Sequence, residues 1–129
     1  MSLFKGCATA LITPFKDGKI DYVSMGKIVE MQIKENIDAL VVCGTTGEAS
    51  TLSKKEKCHL VKFVVDLVDG RIPVIAGSGT NNTAAAVELS KEMENLGADG
   101  LLVVTPYYNK CTEKGLIKHY ETIAESVNI

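Results

Sequence analysis

Histidine is scarce in this 129-residue sequence, with two residues, and the four cysteines form no C-x-x-C pair. No His or Cys spacing fits a zinc site, so neither a metal nor a cofactor is expected. No apolar run approaches the roughly 20 residues of a membrane span. The N-terminus has no apolar core followed by a cleavage site, so no signal peptide is expected. Basic residues are in no surplus, because the net charge is −2. That balance argues against a nucleic acid or an anionic membrane as partner, since there are no spare cations to displace counterions. Lys54, Lys55 and Lys57 form the one tight basic cluster, which reads as a solvated helix face. Cys7, Cys43, Cys58 and Cys111 read as free thiols in a reducing compartment, Cys43 as a small hydrophobe ending an apolar run. A cytoplasmic location follows from these absences. No linker or low-complexity segment divides residues 1–129, and 46% hydrophobic with 23% charged residues is the usual balance of one globular domain.

What the sequence does have is one unit used four times: an apolar run, a glycine-bearing turn, then an amphipathic helix. The runs are CATALITPF (7–15), ALVVCG (39–44), PVIAGSG (73–79) and GLLVVTP (100–106). Short, nearly continuous apolar runs suit parallel strands buried on both faces. Between them, Leu60, Phe63, Val64, Leu67 and Val68 follow the i, i+3, i+4, i+7, i+8 spacing of a helix stripe. Met25, Ile28, Val29 and Ile33 do the same before it; Ala86, Leu89, Met93 and Leu96, then Leu116, Tyr120, Ile123, Ala124 and Val127, do so after it. Asp21, Ser53 with Glu56, and Asn82 mark helix starts, whereas Asp69-Gly70 and Gly97 mark ends. Strand alternating with helix every ~30 residues means an α/β fold with a parallel sheet and right-handed crossovers. Pattern and length together favour an open doubly wound sheet over part of a (β/α)8 barrel, because a whole barrel needs about 250 residues.

In either architecture ligands bind at the C-terminal ends of the strands. The turns there carry Thr13, Thr45, Thr46, Ser78, Thr105, Tyr107 and Tyr108, a dense set of hydroxyls. In GTTGE (44–48), Gly44 and Gly47 allow close approach and conformations closed to other residues. Its amides can form a nest for a small carboxylate, and its threonines can pass a proton. A plain turn, with both threonines bonded to their own backbone, explains the same residues. GSGTNN (77–82) has Asn82 where a dinucleotide fingerprint needs its third glycine, so it reads as a tight turn into a capped helix. In TPYYN (105–109) adjacent side chains of an extended segment point apart, so one tyrosine can face the rim while the other reaches elsewhere. His59 and His119 fall within helical segments and read as surface or boundary residues. No lysine falls inside the four runs, so a desolvated catalytic amine is hard to place.

ALITPF, GTTGEASTLS, RIPVIAGSGTNNTAAA and VTPYYNKCTEKGLIKHY resemble the dihydrodipicolinate synthases, from about Leu3 to the last residue. The resemblance implies the first four βα units of a (β/α)8 barrel, in place of the open sheet. It implies a cytoplasmic homo-oligomer, a tetramer of tight dimers, acting as a lyase in the diaminopimelate route to lysine. The substrates would be pyruvate and aspartate 4-semialdehyde, joined through a Schiff base on a lysine. Thr45 matches the family's relay threonine. Thr46 matches a partner of the pyruvate carboxylate, Tyr108 the relay tyrosine that enters the neighbouring subunit's site, and Tyr107 the tyrosine at the tight-dimer interface. The Schiff-base lysine, a second relay tyrosine and an arginine belong to the family's second half-barrel, so the chain alone is expected to be inactive. Feedback by lysine is in doubt, because Lys54, Lys57 and Ala85 stand where the regulated members have histidines and a glutamate. Two other readings compete. One is a sister aldolase such as N-acetylneuraminate lyase, which carries serine-threonine at Thr45-Thr46; the other is a non-catalytic, self-associating half-barrel.

Overall fold

A computed structural model describes residues 2–129. Strands β1 (Ala8–Ala10), β4 (Ala39–Val42), β5 (Val74–Gly77) and β6 (Gly100–Leu102) form one parallel sheet in the order β1-β4-β5-β6. Helices α1 (Tyr22–Lys34), α2 (Lys54–Val68), α3 (Thr83–Asn95) and α4 (Glu113–Ala124) alternate with them. The four runs are therefore strands, each shorter than its apolar stretch. One departure is local: Phe15 leaves the first run and pairs as β2 (Phe15–Lys16) with β3 (Lys19–Ile20), an antiparallel hairpin. Asp17 and Gly18 turn it at φ 52 and 73, conformations that Asp and Gly adopt with least strain.

Strand order settles the architecture. In a doubly wound sheet the order reverses around the first strand and helices cover both faces. Here spatial order follows chain order, so right-handed crossovers place every helix on the same face. Consecutive helices pack side by side, α1 on α2, α2 on α3 and α3 on α4. The open-sheet expectation is thus overturned in favour of an arc of a barrel. Leu40, Val42, Val74 and Ala76 point to the helices and are buried with Met25, Val29, Leu60, Val64, Leu89 and Met93. The alternate positions, Ala10, Val41 and Ile75, lie in register on the other face. That concave face is open: Ile12, Leu102 and Val104 remain 54%, 47% and 43% exposed.

Local signals position these elements. Asp38 and Asp99 each stand one residue before a strand and accept from the amide of the preceding strand region, Cys7 at 2.7 Å and Val74 at 2.8 Å. This pair of clamps sets the register at the N-terminal ends, so the C-terminal ends emerge on one rim. Asp21, Ser53 and Asn82 cap α1, α2 and α3, and Ser53 with Glu56 closes a capping box. Those hydrogen bonds hold the Glu56 carboxyl below its usual pKa. Thr112 caps α4, a signal the sequence reading passed over. Asp69, Gly70 and Gly97 end their helices at φ 48, 70 and 93. On α4 the buried residues are His119 and Ile123; Ala124 is exposed, and Val127 lies beyond the helix. An imidazole thus takes a place in the stripe that periodicity gives to apolar residues, and His119 is not a surface residue.

Candidate functional site

The backbone points to the site before any side chain does. Among the described residues six non-glycine positions have positive φ, and three are Asp or Asn in turns, where this costs little. The other three are Cys43 (φ 57), Glu48 (φ 55) and Tyr108 (φ 74), all on the rim turns after β4 and β6. Strain of this kind persists where the surroundings impose it, and it clusters at functional sites. Extended backbone was expected at Tyr108, and glycine freedom was expected at Gly44. Gly44 instead has φ −78, and the left-handed residues stand beside the glycines. The turn uses its glycines for clearance: a Cβ on Gly47 would lie 3.1 Å from the Leu11 carbonyl oxygen and 3.2 Å from Thr13 Oγ1.

Between these turns lies a cleft of about 350 Å³, lined by residues that include Cys43, Gly44, Thr45, Ser50, Lys57, Gly77, Gly79 and Tyr107. That volume suits a small-molecule ligand. Thr45 is therefore on the cleft, whereas Thr46 is exposed outside its lining. The tyrosines separate, although Tyr108 is left-handed and not extended: Tyr107 lines the cleft, and Tyr108 projects 95% exposed into solvent. Tyr108 does not meet Thr45 across this cleft.

The rim hydroxyls divide into two kinds. Thr13 is buried and donates to the Gly47 carbonyl at 2.7 Å, which pins the GTTGE turn to the end of the first strand. Ser78 is buried and accepts from Ser90 at 2.9 Å, which pins the third turn to α3. Both are committed to structure. The Gly47 and Glu48 amides donate to Gly44 and Thr45 carbonyls, which closes the short 3-10 turn Thr45–Gly47. Those two amides do not serve as an anion nest.

Lysine placement also changes. Lys57 lies half-buried on the cleft rather than on a solvated face. Lys54 pairs with Glu88 and Glu92, bridging α2 to α3, and hydrogen bonding to Glu88 raises its pKa. The signal for Lys57 was present as the i+4 neighbour of Ser53, one turn into a helix that starts at the rim. Burial pushes the Cys43 thiol up to about 12, so the cleft's sulfur is an inert thiol and no nucleophile. All four cysteines are free. Among the described residues no three His, Cys, Asp or Glu side chains cluster as a metal site would require. Among the same residues no helix is long and apolar enough to cross a membrane.

Comparison with known proteins gives this geometry its relatives. The chain is 52% identical over 129 residues to a 4-hydroxy-tetrahydrodipicolinate synthase of Clostridium novyi, covering 100% of this chain and 44% of that protein. Its fold superposes on the crystal structure of dihydrodipicolinate synthase from Aquifex aeolicus with a TM-score of 0.96, at 48% identity, over 98% of this chain and 43% of that one. It also matches the chloride-inhibited dihydrodipicolinate synthase of Acinetobacter baumannii complexed with pyruvate, with a TM-score of 0.94, at 48% identity, over 96% and 43% of the two chains. The chain spans less than half the length of these relatives, the N-terminal half of a (β/α)8 barrel. The model of the dihydrodipicolinate synthetase family matches residues 3–129, and the chain belongs to that family.

Proposed function

We propose that residues 1–129 form the N-terminal half of one barrel domain in a lyase that condenses pyruvate with aspartate 4-semialdehyde. The relatives' names support this reading, as does the pyruvate held by the Acinetobacter baumannii protein. The observation that carries it is Thr45 on an open cleft at the strands' C-terminal ends, beside a concave apolar face. A second half-barrel would cover that face and bring the Schiff-base lysine over the cleft. On this reading the lysine amine condenses with the pyruvate carbonyl and releases water. The Thr45 hydroxyl, able to donate and accept at once, passes protons at the reacting centre. Thr46, exposed beside the cleft in this half, and the amides at the start of the turn hold the pyruvate carboxylate once the second half closes over them.

Tyr108 completes the relay in a neighbouring subunit, which explains why it projects from its own chain instead of into its own cleft. The product would feed lysine synthesis in the cytoplasm, and the working form is a homo-oligomer. The test is subunit complementation in the complete enzyme. Tyr108→Phe subunits mixed with subunits lacking the Schiff-base lysine should regain activity, since hybrid dimers hold one intact site. No regain after confirmed exchange would place Tyr108 in its own subunit's site or outside the reaction.

A further inference from the structure

The loop that bears both tyrosines, residues 103–112, has no helix or strand of its own. Tyr108 sits at φ 74 with its ring clear of its own chain, so no side chain of its own subunit sets the ring's position. Its placement must come through the backbone, and side chains from two helices hold that backbone. Tyr120 of α4 donates to the Val103 carbonyl at 3.2 Å, at the loop's start. Asn81, two residues before α3, donates to the Tyr107 carbonyl at 3.1 Å, beside the strained residue. The helices are tied to each other where these grips originate: Thr83 Oγ1, on the first residue of α3, lies 2.8 Å from His119 Nδ1 on α4. His119 adjoins Tyr120, and Thr83 is two residues from Asn81, so within the α3–α4 packing this bond joins the loop's two anchors.

His119 is an expensive residue to keep there. It is 4% exposed, and its Nε2 is buried with no hydrogen-bond partner among the described residues. A half-satisfied buried polar group costs stability, whereas an apolar residue of similar size would bury no unpaired nitrogen. Core packing alone therefore does not account for an imidazole at this position. It lines a small cleft of about 210 Å³ whose other walls include Asn81, Thr83, Tyr107 and Asn109, the anchors and the loop itself. We propose that His119 is a positioning residue: through Thr83 it holds the start of α3 against α4, and so fixes the loop that presents Tyr107 and Tyr108.

Its catalytic consequence rests on the proposed reaction, but its structural consequence does not. The test compares His119→Leu, which removes the bond and keeps an apolar volume, with His119→Asn, whose amide can reach Thr83 from the Nδ1 position. Amide hydrogen exchange and steady-state kinetics are measured on the complete enzyme. In His119→Leu, exchange at the Asn109 amide, which donates to the Tyr107 carbonyl at 3.1 Å, should rise at least tenfold and kcat should fall about tenfold, with KM for pyruvate unchanged. His119→Asn should restore both quantities to within about threefold. Thr83→Val deletes the same bond from α3 and should reproduce the exchange change, which guards against misfolding of a single variant. Faster exchange with unaltered kcat upholds the positioning and removes the loop from the reaction. Unaltered exchange at the Asn109 amide in His119→Leu and Thr83→Val overturns the proposal, as does equal damage from Asn and Leu.

Discussion

Replacing Gly77 by alanine tests whether the bend after the second parallel strand is held rigidly enough to aim Thr45. A Cβ at Gly77 would lie 2.6 Å from the Cys43 carbonyl carbon, closer still to its oxygen, and 3.3 Å from the Gly44 nitrogen. Carbon atoms in good contact sit about 3.5–4.0 Å apart, so the two backbones must separate by roughly 1 Å. No rotamer change relieves this, because the obstacle is main chain, and Cys43 already carries a left-handed φ. Overpacking of this kind costs about 1–3 kcal/mol. Alanine recovers about 0.4–1 kcal/mol by restricting the unfolded chain, so the net loss is about 1–2 kcal/mol. Function should suffer more than stability. The displaced segment leads directly into Thr45, and a shift of about 1 Å at a reacting group can lower turnover about 100-fold. Gly26→Ala is the control. Its Cβ would meet Phe63 at 3.7 Å and Leu67 at 3.8 Å, ordinary contact inside α1, so about 1 kcal/mol of stabilisation is expected. Urea unfolding and pyruvate-dependent turnover of the complete enzyme measure both effects. A Gly77→Ala enzyme with parental stability and turnover would refute the claim of a rigid bend.

Thr45→Val keeps β-branching and removes the hydroxyl on the cleft, so turnover should fall by about 10² to 10⁴ while pyruvate binding changes little; near-normal turnover would take Thr45 out of the mechanism. The 129-residue chain alone should self-associate, because β1 and β6 are unpaired edges and Ile12, Leu102 and Val104 leave an apolar face open. A sharp monomer at high concentration by sedimentation would contradict this. Borohydride reduction of that chain with pyruvate should yield no stoichiometric adduct, and a specific adduct on one lysine by intact mass would show that the chemistry is present. Thiol labelling should be fast at exposed Cys7 and Cys111 and absent at Cys43 until unfolding. Folding holds the Cys43 proton up to about 12 against the usual thiol value of 9.0, so between these pH values the unfolded chain binds fewer protons and stability falls as pH rises. A Cys43→Ala chain should lose that part of the alkaline slope.

Much of this molecule is legible in one dimension. The four parallel strands, the four helices, the caps at Asp21, Ser53 and Asn82, and the ends at Asp69-Gly70 and Gly97 are local, so neighbouring residues suffice to specify them. The places of the GTTGE and TPYYN turns are legible for the same reason, but their conformations are not: Gly44 has φ −78, and Glu48 and Tyr108 are left-handed. Choices that depend on distant pairing are not. Apolar periodicity is the same for an open sheet and a barrel arc, and only the order β1-β4-β5-β6 separates them. Thr13 and Ser78 look like ligand-facing hydroxyls until Gly47 and Ser90, 34 and 12 residues away, claim them. Lys57 looks solvated until the turn after β4 folds beside it, and His119 looks like surface until Thr83, 36 residues earlier, meets its ring. Local sequence carries propensity and periodicity; which polar group meets which partner is decided only when packing brings remote segments within hydrogen-bond distance.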